Sequence, residues 1–163
     1  MQRLYVPYIF QMPQWARYLL RGVAVLLAAT LIMLLLMLNP VTDPVILIAA
    51  LAFVLVSVSI WSFSNIRLEI SDDGLFLKNG FSKREAGWQA IKVVEIKEIG
   101  KYFDPQIYVH YGNTKMIIAN SVFRKQQMLK IMELLEMKLP ATIFFASYHT
   151  IKKKMEEQKG WLL

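Results

Sequence analysis

The sequence has no cysteine, so no disulfide holds the fold and no thiolate serves as nucleophile or metal ligand. It has only two histidines, His110 and His149, and neither has a carboxylate partner at a spacing useful for a metal or a proton relay. A glycine-rich phosphate cradle, a G-x-S-x-G elbow and an H-E-x-x-H pair are all missing. Asp72-Asp73-Gly74 supplies the residues a turn needs and falls far short of a calcium loop. These absences lead us to expect a chain that is not an enzyme and takes no metal or cofactor.

Charge is missing from two long stretches. Gly22 to Thr42 and Pro44 to Ile66 contain no Asp, Glu, Lys, Arg or His, and only Asp43 separates them. Each run is long enough for a helix to cross a hydrocarbon core of about 30 Å. A helix apolar on every face needs lipid or a very large core, and 163 residues cannot bury two of them. The expectation is a transmembrane helical hairpin over residues 22–65, with spans at about 18–38 and 45–64, closed by the turn Asn39 to Pro44.

That connection carries no Lys or Arg. Arg3, Arg17 and Arg21 precede the first span, while Arg67, Lys78, Lys83 and Arg84 follow the second. The positive-inside rule therefore places both termini in the cytoplasm, a placement the lack of cysteine permits. A cleaved signal peptide is not expected, because the apolar run continues past any small-residue cleavage site.

Residues 1–21 form an interfacial segment in this reading, with Trp15, Arg17, Tyr18 and Arg21 as a collar at head-group level. The competing reading makes Leu4 to Phe10 an extended arm that adds a strand to the soluble part. Within the spans, Ala24 and Ala28 on one helix and Ala49, Ala52 and Ser59 on the other mark where the backbones would approach. The serines of the second span are expected to bond to carbonyls of their own preceding turn. With no ionisable group inside either span, transport by this chain alone is not expected.

Past Ile66 the hydrophobic period shortens from helix to strand. Ile66, Leu68 and Ile70 alternate with Arg67 and Glu69, and Asp72-Asp73-Gly74 turns the chain into a second strand through Leu75 and Leu77. Asn79-Gly80 is a strong hairpin signal and leads into a third strand ending at Gly87. A fourth strand follows Trp88, and its apolar parity changes at Val93-Val94, as a bulge would require; a helix over 89–99 is the competitor. Gln106 to Tyr111 and Thr114 to Ala119 flank Gly112-Asn113, with Ile107, Val109, Met116 and Ile118 facing inward. A helix capped by Asn120 or Ser121 then carries the stripe Met128, Ile131, Met132, Leu135 and Leu139 and stops at Pro140. Phe144, Tyr148, Ile151 and Met155 mark a second, amphipathic helix in a tail of residues 141–163.

The order LEISDDGLFLKNGF, a strand opening with Trp88-Gln89-Ala90-Ile91, a hairpin, and MIIANSVFRKQQMLKIMELLE resembles the bacterial pleckstrin-homology-like domains of small two-span membrane proteins. The resemblance implies that residues 66–140 form a cytoplasmic α+β PH-like domain: a bent antiparallel sheet of about six strands closed by a C-terminal helix. It further implies the bacterial inner membrane as location and a binding or scaffold role without catalysis. Eukaryotic relatives hold phosphoinositides with a Lys and a Lys/Arg-x-Arg triplet around the first hairpin. Here Lys78 and Lys83-Arg84 stand there and the triplet is absent.

Strand polarity from the tether returns Lys78, Lys83, Arg84, Lys101, Tyr102 and Phe103 to the bilayer as a basic and aromatic rim, each basic group near an anionic surface contributing about 1 kcal/mol. Residues 66–163 hold sixteen Lys and Arg against eleven Asp and Glu, which beside a bilayer points to anionic lipid rather than nucleic acid. The expected function is a membrane-anchored scaffold, an accessory subunit of a larger assembly, with a protein partner or its own copies. The alternative is a regulator that reads anionic lipid through the rim and Lys152-Lys153-Lys154.

Overall fold

Helix, strand and turn follow the periodicities of the chain, with three departures. A computed structural model describes residues 7–37, 44–101 and 104–157. These fall into two units, one made of residues 12–66 with 78–82 and the other of the remainder. The Asn39–Pro44 connection lies outside the described residues except for Pro44, as do Tyr102, Phe103 and the last six residues.

The first unit is a pair of helices, α1 (Gln14–Met37) and α2 (Pro44–Phe63). Helix α1 starts directly after Pro13, whose carbonyl accepts the Arg17 N–H at 3.1 Å, and α2 starts on Pro44, where the missing N–H costs nothing. Shielded positions recur at intervals of three and four: Leu20, Ala24, Leu27, Leu31 and Leu35 on α1, and Ile46, Ala50, Phe53, Ser57 and Ile60 on α2. That spacing is the seam of two helices crossing at a shallow angle. Ala24 belongs to it, 4% exposed, but Ala28, Ala49, Ala52 and Ser59 face outward. The small-residue expectation is corrected accordingly. A repeat of three and four decides the contact face, and small size alone does not. The serines behave as their chemistry requires: Ser57 Oγ donates to Phe53 O at 2.8 Å and Ser59 Oγ to Leu55 O at 2.7 Å.

The second unit holds seven strands in two antiparallel sheets, where about six strands in one sheet were expected. The first sheet runs in the order β1 (Tyr8–Gln11), β2 (Arg67–Ile70), β3 (Gly74–Asn79), β4 (Ser82–Gly87). The extra strand is the N-terminal one: residues 8–11 add a strand to the sheet, in line with the competing reading of Leu4 to Phe10 as an extended arm. Phe10 lies opposite Leu68, and Tyr8 opposite Ile70, in antiparallel register. Burial is the reason: Phe10 is 7% exposed against a Leu68 with no exposure at all. Both α1 and α2 are therefore an insertion between two hydrogen-bonded neighbours of one sheet.

Gly74 opens β3 for a steric reason beyond its turn. A Cβ there would stand 2.3 Å from the Ala86 carbonyl oxygen on β4, so only glycine permits the two backbones to come this close. A one-turn 3₁₀ segment, Trp88–Ala90, redirects the chain into the second sheet, and the Trp88 indole N–H donates to Ser71 O at 3.0 Å.

The second sheet has the order β5 (Ile91–Ile99), β6 (Asp104–Tyr111), β7 (Thr114–Ala119). The register slips between Ile91 and Val93, the bulge anticipated from the change of parity, so that Ile91, Val94 and Ile96 all point inward while Val93 points out. Ile107, Val109, Met116 and Ile118 are completely buried, as the alternation requires.

Helix α3 (Lys125–Lys138) starts later than Asn120 or Ser121, because a turn held by Val122 and Phe123 N–H groups on Ala119 O first drives Phe123 into the core. Gln127 does the capping: its Oε1 accepts the Arg124 N–H and its Nε2 donates to Gln11 O on β1, both at 3.1 Å. The apolar stripe of α3 is buried throughout. Phe144 then makes a parallel bridge to Val94, Phe145 N–H donates to Val94 O at 2.9 Å, and Ser147 Oγ donates to Ile96 O at 3.2 Å. The outer edge of β5 is thus covered by this segment and by α4 (Ala146–Glu157). Tyr148 anchors α4, fully buried with its hydroxyl donating to Met132 O at 3.1 Å; burial pushes that phenol far above its ordinary value.

If β1 is an integral strand, Phe10→Ala removes a ring from the core and lowers stability by about 3 kcal/mol. Thermal unfolding of the full chain in mild detergent should show a clear drop in Tm. An unchanged Tm would mean that the N-terminal strand contributes nothing to the fold.

Candidate functional site

Two surfaces carry the residues singled out from the sequence. On the helical unit, both helices are long and apolar enough to cross a membrane, and the most apolar window of α1 is only 11% buried while that of α2 is not buried at all. A core helix of a water-soluble protein would be mostly covered. Here Leu26, Ile32, Met33, Leu36, Leu47, Ile48, Leu51 and Leu55 are all exposed.

Of the collar residues, Trp15 and Tyr18 project outward, 62% and 69% exposed, while Arg21 turns inward between the helices. Its Nη2 donates to Asn65 Oδ1 at 2.8 Å and its Nε to Ser64 Oγ at 3.3 Å, and the guanidinium lies over the Trp61 ring at 5.3 Å. Ser64 in turn donates to Trp61 O, and Asn65 Nδ2 donates to the same carbonyl. A single planar cation thereby ties α1 to the C-terminal turn of α2 through two hydrogen bonds and a ring face. Arg17 is also part-shielded. The reading from sequence gave Arg21 a purely interfacial role and missed its partners. The signal was the polar pair Ser64-Asn65 directly behind an apolar run.

The expected rim is divided. Lys78 belongs to the helical unit and is half-buried; Lys83, Arg84 and Lys101 belong to the sheet unit and are exposed. Arg84 is engaged, its Nη1 donating to the Lys115 carbonyl. Tyr102 and Phe103 lie outside the described residues. The lysine triplet of the tail is largely occupied by carboxylates: Lys152 pairs with Glu136, Lys154 with Glu98 at 2.7 Å, and Lys153 stands 3.9 Å from Glu157. Lys152 and Lys154 so partnered present less positive charge to a lipid surface than their sequence suggests, whereas Lys153 stays solvated.

A cluster that the sequence reading did not assemble occupies the outer face of the second sheet. Glu95 Oε1 lies 2.9 Å from both Lys97 Nζ and His110 Nε2. Lys97 and Lys115 both stand over the Tyr108 ring, at 5.4 and 5.3 Å, and the Tyr108 hydroxyl donates to Gln106. The two aliphatic stems explain how a tyrosine on an outward face is only 8% exposed. The ammonium of Lys97, hydrogen-bonded to Glu95, holds that carboxyl below its usual range; partial burial opposes the shift and His110 adds to it. The signal was present as three polar residues two apart on neighbouring strands, but register was needed to pair them.

Described residues of the sheet unit line two depressions. One, of about 500 Å³, is bounded by Glu69, Asp73 and Glu85 around Phe76, and Glu69 is already paired with Arg67 at 2.8 Å. The other, of about 680 Å³, lies where Glu136, Leu139, Phe144, His149 and Lys152 meet at the junction of α3 and α4. Among the described residues no group of three or more His, Cys, Asp or Glu is arranged to hold a metal ion. No protein-family model, curated protein or solved structure matches this chain.

Two outcomes follow from these contacts. Arg21→Lys keeps the charge but loses the fork, so it should lower the stability of the helical pair nearly as much as Arg21→Ala, by about 1 to 2 kcal/mol, measured by unfolding in detergent. Glu95 titrates below its ordinary value of 4.5 when folded, so its contribution is complete above that value and is lost as pH falls through the lower folded one. The Tm difference between wild type and Glu95→Gln should therefore be present at about pH 6, worth at most about 1 kcal/mol at so exposed a pair, and shrink as the pH is lowered below 4.5.

Proposed function

We propose that this chain is a two-span, membrane-anchored scaffold whose sheet unit is a PH-like module that docks a protein partner at the cytoplasmic face of a bacterial inner membrane, as an accessory subunit of a larger assembly and without catalysis of its own. One observation carries the reading: two uncovered apolar helices are inserted between adjacent strands of a folded β unit. Such a unit is joined to the apolar helices at two points of the chain, before α1 and after α2, which suits a module anchored to a bilayer. Two antiparallel sheets followed by a helix with a fully buried stripe support the PH-like arrangement. Cytoplasmic termini follow from the basic flanks and the connection without Lys or Arg.

The alternative, a reader of anionic lipid, draws on Lys83 and Lys101, which are exposed. It is weakened by the ion pairs of Lys152 and Lys154.

The test uses the full chain, because a fragment starting at residue 66 would lack β1. Gentle extraction from the native membrane through a C-terminal tag should recover a stoichiometric membrane protein or a defined homo-oligomer, identified by mass and size. The same extraction of Lys83→Glu/Lys101→Glu should give the same complex. Loss of the complex in that variant, together with loss of preference for anionic over zwitterionic nanodiscs, would favour the lipid reader. A bare monomer from the wild-type chain would count against the scaffold.

A further inference from the structure

Among the described residues outside the two long helices, the turn between β3 and β4 presents the most exposed aromatic ring. Phe81 is 78% exposed, although the residues before and after its hairpin tip are polar. An aromatic ring left in water at the end of a tight turn has no structural role in the sheet, since the inward positions of β3 and β4 are Leu75, Leu77 and Ala86. Its surroundings are informative. The tip, residues 78–82, groups with the helices, and Gly80 faces the last turn of α2 so closely that a Cβ there would stand 3.0 Å from Ser62 Oγ. Gly80 has φ +61°, so the residue that makes this approach is also one that adopts the left-handed turn without strain. Ser62 is only 8% exposed as a result, in a stretch of α2 whose neighbours Trp61 and Phe63 are 47% and 43% exposed.

The level of that contact along the helices is set by Arg21, which bonds Ser64 and Asn65 and covers Trp61. An arginine bonded to polar side chains at the end of an apolar helix, with an outward tryptophan beside it, marks the boundary between head groups and acyl chains. Tyr18 and Trp15 continue the aromatic band outward along α1, and half-buried Lys78 sits at the base of the tip. We infer that Phe81 is a third membrane contact: the β3–β4 tip lies against α2 at head-group depth and inserts the Phe81 ring into the interface of the bilayer that α1 and α2 cross. The occupant of this surface is lipid, with its acyl–glycerol boundary against the ring and its phosphate zone beside Lys78. The inference rests on the reading of α1 and α2 as membrane spans.

The absence of cysteine makes the test direct. Phe81→Cys and Leu51→Cys each give one thiol in the full chain, to be spin-labelled in nanodiscs of mixed zwitterionic and anionic lipid. Collision with oxygen, which partitions into acyl chains, is compared with collision with a water-soluble nickel chelate. Labels at both sites are expected to favour oxygen several-fold over the free label in buffer, with the label at Phe81 shallower than that at Leu51. A label at Phe81 that matches the free label, with Leu51 in lipid, overturns the inference and leaves the spans standing. Water-like accessibility at Leu51 as well overturns the spans and the inference together. Since Phe81 touches no core, the melting temperature of Phe81→Cys should match wild type; a large drop would assign the ring a packing role and also overturn the inference.

Discussion

The pairing of β1 with β2 is the constraint on which the architecture turns. Strand hydrogen bonds fix Gln11 opposite Arg67 and Tyr8 opposite Ile70, so the chain must leave the sheet and re-enter it at neighbouring positions. Residues 12–66 have to make a closed excursion. Two helices of similar length, antiparallel and packed on a seam of three-and-four spacing, satisfy that requirement with no residues to spare between Gln11 and the start of α1 at Gln14. Arg21 completes the closure within the helical pair by bonding the turn that follows α2.

The sheet unit is stabilised by ordinary means. Two layers of completely buried aliphatic side chains face α3, and each opening in that core has a local solution: Gly74 where two backbones converge, a bulge where β5 must present Ile91 and Val94 to one side, and Gln127 where α3 meets β1. Polar side chains are mostly spent in pairs rather than left in a cleft. Lys138, 5% exposed, reaches Asp72 at 2.6 Å and ties the end of α3 to the β2–β3 turn. On the outer face of the second sheet, charged groups and ring surface alternate around Tyr108.

Legibility from the sequence followed the range of the physics involved. The apolar runs, the 2-residue period of β2 to β7, the bulge and the stripe of α3 are signals carried by near neighbours, and they could be read directly. What escaped depended on partners far away in the chain. Tyr8–Gln11 stands in the sequence only as the competing arm reading of Leu4 to Phe10, because so short a stretch has no period of its own and only Leu68 and Ile70 make it a strand. Arg21 could be recognised as a snorkelling cation but not as the partner of Asn65. The triplet Lys152-Lys153-Lys154 reads as exposed positive charge until Glu136 and Glu98 are brought beside it. The helix seam was misjudged for a related reason: alanine size was taken as the guide, where the heptad pattern Ile46, Ala50, Phe53, Ser57, Ile60 held the answer.

The cover over β5 has a significance beyond packing. Val94 and Ile96 offer their carbonyls to Phe145 and Ser147, so the outer edge of β5 is masked by residues 144–147. Any change that lifts this segment away leaves backbone groups open to pairing with another strand, so the segment acts as a stopper against edge-to-edge association.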